Sequence, residues 1–178
     1  MAAENAHWYY NGIIDRMIGA ARLNVDTFEE VEADTSTTKQ ALLVVALVAL
    51  ATGIGSGGIV GLVIGTILAV AGWALWAWIV YLVGTKVLPE PDTDADWGQL
   101  ARTLGFAQSP GILKVFGAVP VIGDGVLLIV SAWMLIAMVI AVRQALDYTS
   151  TLRALGVVLL GFIPYALFWF VMLAMVAQ

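Results

Sequence analysis

Few side chains in this sequence can do chemistry, and the first is Lys114, an ammonium set inside a long apolar stretch. An ionisable group at bilayer depth is costly and by default marks a function, such as a path for an ion or solute. The other reading is that the Ser109-Pro110-Gly111 break brings Lys114 to an interface, where its stem snorkels. A second candidate is the charged corner of Arg143, Asp147, Tyr148 and Arg153, between two apolar runs. A third is the acidic segment holding Asp26, Phe28, Glu29, Glu30 and Glu32, whose glutamates can pair with Arg143 and Arg153. Together the corner and the segment read as a docking surface for a protein partner. The plainer reading of the corner is charge anchoring plus helix capping.

Other chemistry is excluded by residue type. The chain has no cysteine and one histidine, His7, so disulfides, thiolate sites and His-rich metal centres are out. Ser36, Ser56, Ser109, Ser131 and Ser150 have no histidine base within the apolar runs, and no phosphate-binding glycine loop or nucleophile elbow is present. Asp92, Asp94 and Asp96 alternate as in a calcium loop, but the glycine and the closing glutamate of that motif are missing. A solvated acidic loop is expected there. No catalytic, cofactor-binding or metal-binding residue is assigned, and no cofactor is expected.

The elements that carry these groups are set by composition. Of the 178 residues, 61% are hydrophobic and 12% charged, against about 25% charged in a typical soluble domain. So small a domain cannot hide that shortfall in a core; lipid is the solvent that fits. The acidic first 38 residues carry the wrong sign for nucleic acid. The fold expected is all-α, a polytopic helical bundle behind an N-terminal region, residues 1–38, of short helices. Residues 8–23 read as an amphipathic helix that lies on the bilayer or packs on its neighbours. Asp26, with Glu29 three residues on, reads as the start of a second short helix.

Five spans are expected in residues 39–178, at about 40–54, 59–84, 104–122, 126–142 and 152–176. The first fifteen residues hold no apolar run behind a basic stretch, so the first span is expected to drive insertion. Gly57, Gly61 and Gly65 recur every fourth residue and predict close helix packing. Trp73, Trp76, Trp78 and Tyr81 predict an interfacial anchor. Asp124 and Ser150 or Thr151 are expected to cap the last two spans, and Pro164 to kink the last. Residues 99–122 are the awkward segment, either a kinked span or an interfacial helix followed by a re-entrant piece. The positive-inside rule favours the span. With five crossings, Arg16, Arg22, Lys39, Lys86, Arg102, Arg143 and Arg153 share one side, seven of the eight basic residues. The N-terminus is then cytoplasmic and the C-terminus outside.

The acidic stretch Leu23-Asn-Val-Asp-Thr-Phe-Glu-Glu-Val-Glu-Ala-Asp34, directly before the first span, resembles the N-terminal signature of the Yip family, the Ypt/Rab-interacting membrane proteins, in its bacterial form. Val142-Arg-Gln-Ala-Leu-Asp-Tyr-Thr-Ser-Thr-Leu-Arg-Ala-Leu155 resembles the family's second hallmark. The resemblance implies five spans, a cytoplasmic N-terminus, a bacterial plasma (inner) membrane and no enzymatic activity. Eukaryotic relatives act in vesicle trafficking and contact prenylated small GTPases. The function expected is a membrane scaffold or adaptor that recruits a protein partner or organises the bilayer through its cytoplasmic face. The alternatives are a small transporter or channel subunit and an accessory subunit of a larger membrane complex. The sequence leaves the oligomeric state open.

Overall fold

The computed structural model describes residues 12–55, 62–91 and 93–176, the last six by backbone only. Gly57, Gly61, Asp92 and residues 8–11 of the expected amphipathic helix lie outside the described residues. All regular structure among those described is helical.

Two short helices, α1 (Ile13–Ala21) and α2 (Val25–Ala33), form a hairpin. Leu23 turns it in the left-handed region, at φ 61°. The Asn24 N–H reaches back to the Gly19 carbonyl and the Leu23 N–H to that of Ala20, each at 3.0 Å, so a Schellman turn closes α1. Asn24 then caps α2, its side chain accepting from the Asp26 N–H at 2.9 Å. The cap therefore lies two residues before the one expected at Asp26, because Asn24 offers the first side-chain acceptor after the turn. One face of α1 packs on its neighbours through Ile13 and Met17, while Ile14 and Ile18 on the other are exposed.

Among the described residues, four helices are long and apolar enough to cross a bilayer. They are α3 (Thr38–Gly55), α4 (Leu62–Leu82, prolonged by a π turn to Val87), α6 (Gly123–Ala145) and α7 (Thr151–Val176); numbering leaves α5 for the segment between. Their outward residues, among them Leu43, Ile64, Ile129 and Ile163, are exposed apolar side chains, as a lipid-facing surface requires. Asp124 sits in the first turn of α6 without capping it, and α7 continues as helix through Pro164.

The segment expected to span as residues 104–122 is instead two pieces, α5 (Trp97–Phe106) and a 3₁₀ segment over Ser109–Ala118. Pro110, which has no N–H to donate, enters as the second residue of the 3₁₀ piece. The pair packs along α3 in the same direction. Gly105 abuts Ala41, Gly111 abuts Val48, and Gly55 lies against the Lys114 carbonyl with no room for a Cβ. On its other flank the 3₁₀ piece runs antiparallel to α6, with Gly111 against Met134 and Gly117 against Leu127.

The aromatic belt is mostly interior. Trp73 and Trp76 are 6% exposed, and only Trp78, at 50%, faces outward as an anchor would. Trp73 donates through Nε1 to the Ala101 carbonyl, and Trp76 meets Phe162 and Tyr165 of α7 at ring distances of 4.7 and 5.2 Å. Helical spacing turned these rings toward α5 and α7, and burial between helices outweighs the interface.

Candidate docking face

One end of the bundle gathers the α1–α2 hairpin, the start of α5 and the turn between α6 and α7. Its anchor is Arg102, 5% exposed, on α5. Its guanidinium meets no carboxylate. Nε donates to the carbonyls of Val31 and Glu32 at 3.0 and 3.1 Å, and Nη2 donates to the Glu32 carbonyl as well. A buried cation on the last carbonyls of α2 satisfies acceptors that the helix leaves open and complements its negative end. By its place in the sequence, Arg102 is only a topological charge. Its position opposite a helix C-terminus was the missing signal, and that is tertiary information.

Arg16 locks the hairpin from the other side. It bonds Glu30 at 2.8 Å, Asp34 at 3.1 Å and the Gln40 amide oxygen at 3.0 Å, so α1, α2 and the start of α3 share one cation. Asp34 lies below the usual carboxylate range, first through its hydrogen bond with Ser36.

The expected pairing of the acidic segment with Arg143 and Arg153 does not form. Glu30 goes to Arg16, Glu29 accepts from the Gln144 amide at 2.9 Å, and Glu32 accepts from the Gln99 amide at 3.0 Å. Arg143 instead closes its own turn, donating to the Tyr148 carbonyl and the Thr151 hydroxyl. Arg153 pairs with Glu90 at 3.2 Å and caps the Pro89 carbonyl. Arg143 finds its partners within its own turn, while Arg153 reaches a segment 64 residues away that the fold brings beside it. Glu90 is held below the usual carboxylate range, chiefly by the backbone N–H of Thr149.

Two residues expected to meet a partner are core. Phe28 is fully buried under the hairpin. Tyr148 is 4% exposed, and its hydroxyl donates to the carbonyls of Gly84 and Leu88 at the π turn that ends α4; burial pushes its pKa up to about 12. Asp147 occupies the left-handed position, φ 53°, of a second Schellman turn: Tyr148 N–H to the Arg143 carbonyl and Asp147 N–H to that of Gln144, both 2.9 Å. Asp96 caps α5 in a capping box with Gln99, which gives the end of the expected acidic loop a structural task. No His, Cys, Asp and Glu cluster able to hold a metal occurs among the described residues.

The accessible charges beside Glu32 are acidic; Arg22, Lys39 and Lys86 are exposed cations as well, but none of them is among the charges that act on Glu32. Asp26, Glu29 and Asp147 are exposed, and Glu32 is half-buried beside them. Glu32 is raised to about 7, first by burial and then by the nearby charges of Asp147 and Glu29, with Asp96 adding to them and Arg102 only partly offsetting them. Glu29, Glu32 and Asp147 therefore form one field, with Asp26 one turn before Glu29 on α2, and the buried cation beside it, Arg102, is committed to carbonyls.

Lys114 and Gly65 lie elsewhere. Both line a cavity of about 340 Å³ between α3, α4, α6 and the 3₁₀ segment. The expected close helix contact at Gly65 is absent: a Cβ there would meet nothing within 4 Å, because that face of α4 borders the cavity.

Residues 24–173 match a family model described as the Yip1 domain. No curated protein and no solved structure matches the chain.

Proposed function

This chain belongs to the Yip1 domain family, and from that premise we propose that it is a non-enzymatic integral membrane scaffold that recruits a basic protein segment. The surface is the carboxylate field of Asp26, Glu29, Glu32 and Asp147 on its cytoplasmic face. The observation that carries this reading is the division of labour at that face. Arg16, Arg102, Arg143 and Arg153 are engaged by carbonyls or neighbouring side chains, and the exposed Arg22, Lys39 and Lys86 are not among the charges that act on Glu32, whereas the carboxylates of Glu29 and Asp147 are. A rigid patch of one sign steers an oppositely charged partner and selects against like-charged ones.

The topology proposed is five crossings, with the N-terminus cytoplasmic. Support comes from the third segment, which follows α3 from the level of Ala41 to that of Gly55 and then turns back along α6. Geometry fits as well. From the level of Ala41 to that of Gly55 the segment follows 14 residues of α3, about 21 Å at 1.5 Å per residue, most of the roughly 30 Å of a hydrocarbon core. Its irregular backbone is enclosed by α3 and α6, the condition under which such backbone is tolerated at membrane depth.

Co-purification of the full chain in mild detergent tests the docking reading. A partner should be retained at low ionic strength and released as salt rises toward about 0.5 M, where screening shortens electrostatic reach to a few ångströms. The Asp26→Lys/Glu29→Lys double variant should cut recovery at least roughly tenfold, since like charges at an interface cost several kcal/mol. Equal recovery from both proteins at all salt concentrations would overturn the assignment.

A further inference from the structure

The cavity at the opposite end of the bundle from the docking face has a lining of two kinds. Val45, Val48, Leu62 and Ala69 make apolar walls, and Thr52, Gln108 and Lys114 supply the polar side. Lys114 is half-buried and Gln108 partly buried. Neither the Lys114 ammonium nor the Gln108 amide bonds another described residue, and no carboxylate is among the residues that line the cavity. The Thr52 hydroxyl donates to the Val48 carbonyl at 2.7 Å. The free hydrogen-bonding capacity of the site is thus dominated by donors, one of them cationic. Its volume, about 340 Å³, falls within the range of small-ligand sites, which starts at roughly 300 Å³.

We propose that this cavity binds a phosphate-bearing anion, with Lys114 and Gln108 donating to its non-bridging oxygens and the walls formed by α3 and α4 accepting apolar substituents. An ammonium in apolar surroundings needs a counter-charge, and no carboxylate among the described residues lines the cavity. Phosphate oxygens accept from lysine as a point charge without demanding the planar fork that arginine offers. Basic pockets between transmembrane helices are one recurring way to hold phospholipid headgroups. The amphiphilic lining suits a phospholipid, while free phosphate offers the same oxygens, so the experiment separates the two sources.

Full-length protein is purified from nanodiscs of phosphatidylcholine alone and of phosphatidylcholine with phosphatidylglycerol, and retained lipid is counted by native mass spectrometry. Wild type should retain phosphatidylglycerol over phosphatidylcholine. Lys114→Gln should lower that retention about tenfold, the factor associated with one charge-assisted hydrogen bond, and Lys114→Arg should restore much of it. Gly65→Leu, whose side chain enters open space, should abolish retention without lowering the melting temperature. Added inorganic phosphate that leaves retention intact assigns the site to lipid. Phosphate that displaces the lipid, or that binds the phosphatidylcholine sample in a Lys114-dependent way, assigns it to the free anion. Anionic-lipid retention and phosphate binding that are the same in wild type, Lys114→Gln and Gly65→Leu would overturn the proposal.

Discussion

Replacing Arg102 with methionine should detach α2 while leaving the four long helices in place. The guanidinium makes three hydrogen bonds to two carbonyls at the end of α2 and is 5% exposed. Bonds to a charged donor contribute about 1.5–3 kcal/mol each in favourable cases, and buried acceptors left open cost about 1–3 kcal/mol. Methionine fills much of the same volume and removes the cost of burying a charge, so the terms do not simply add. A net loss of about 2–3 kcal/mol is expected. For a chain of this size each kcal/mol moves the melting temperature by roughly 2–4 °C, which puts the shift at about 4–12 °C. Arg102→Lys keeps the charge but cannot fork between two carbonyls, and should lose about half as much. Thermal melts in nanodiscs give the magnitude, and hydrogen exchange gives the place: amides of residues 25–33 should lose protection while those of α4 and α6 keep it. A shift under about 2 °C with α2 protection unchanged would refute the assignment of Arg102 as the anchor of the docking face.

Glu32 gives a pH dependence of defined sign. Its pKa is raised to about 7 from an ordinary 4.5, so the folded state holds the extra proton and stability falls as pH rises from about 4.5 through 7. Full conversion at 1.36 kcal/mol per unit would give about 3 kcal/mol; at a half-buried, solvent-screened site about 1 kcal/mol is expected. Glu32→Gln preserves the acceptor for Gln99 and should remove that slope, so a variant whose melting temperature still tracks pH as wild type does would contradict the assignment. Asp147→Gly should raise stability by about 0.5–1 kcal/mol, since glycine adopts φ 53° at no steric cost and a repelling carboxylate leaves Glu32; a lower melting temperature would show that the Asp147 side chain is needed. The same variant should weaken capture of a basic partner in the co-purification assay, and Asp147→Asn should weaken capture as well, with only the part of the stability gain that comes from removing the charge beside Glu32.

α3, α4, α6 and α7 appear where uncharged apolar runs were long enough to cross, because run length is a one-dimensional property. The Yip resemblance rested on residues 23–34 and 142–155, and the family match spans 24–173. The charged segments did not reveal their pairings. Glu30 and Arg16 are 14 residues apart and Gln99 and Glu32 are 67 apart, and nothing in spacing alone prefers those partners over Arg143 or Arg153. Phe28 and Tyr148, legible as conspicuous aromatics beside charges, are buried because the elements carrying them fold back onto the bundle.

By itself, the sequence determined the solvent and the class of fold. A charge content of 12% with apolar runs of span length admits only helices that satisfy their own backbone in lipid. Tertiary structure alone decided which charges are engaged and which are free. An arginine is assigned to a helix C-terminus, a glutamate to an amide, and a lysine to a cavity by the three-dimensional juxtaposition of segments far apart in the chain. The docking face and the Lys114 cavity both follow from that juxtaposition, since electrostatic and hydrogen-bond energies depend on distances of a few ångströms that no spacing along the chain encodes.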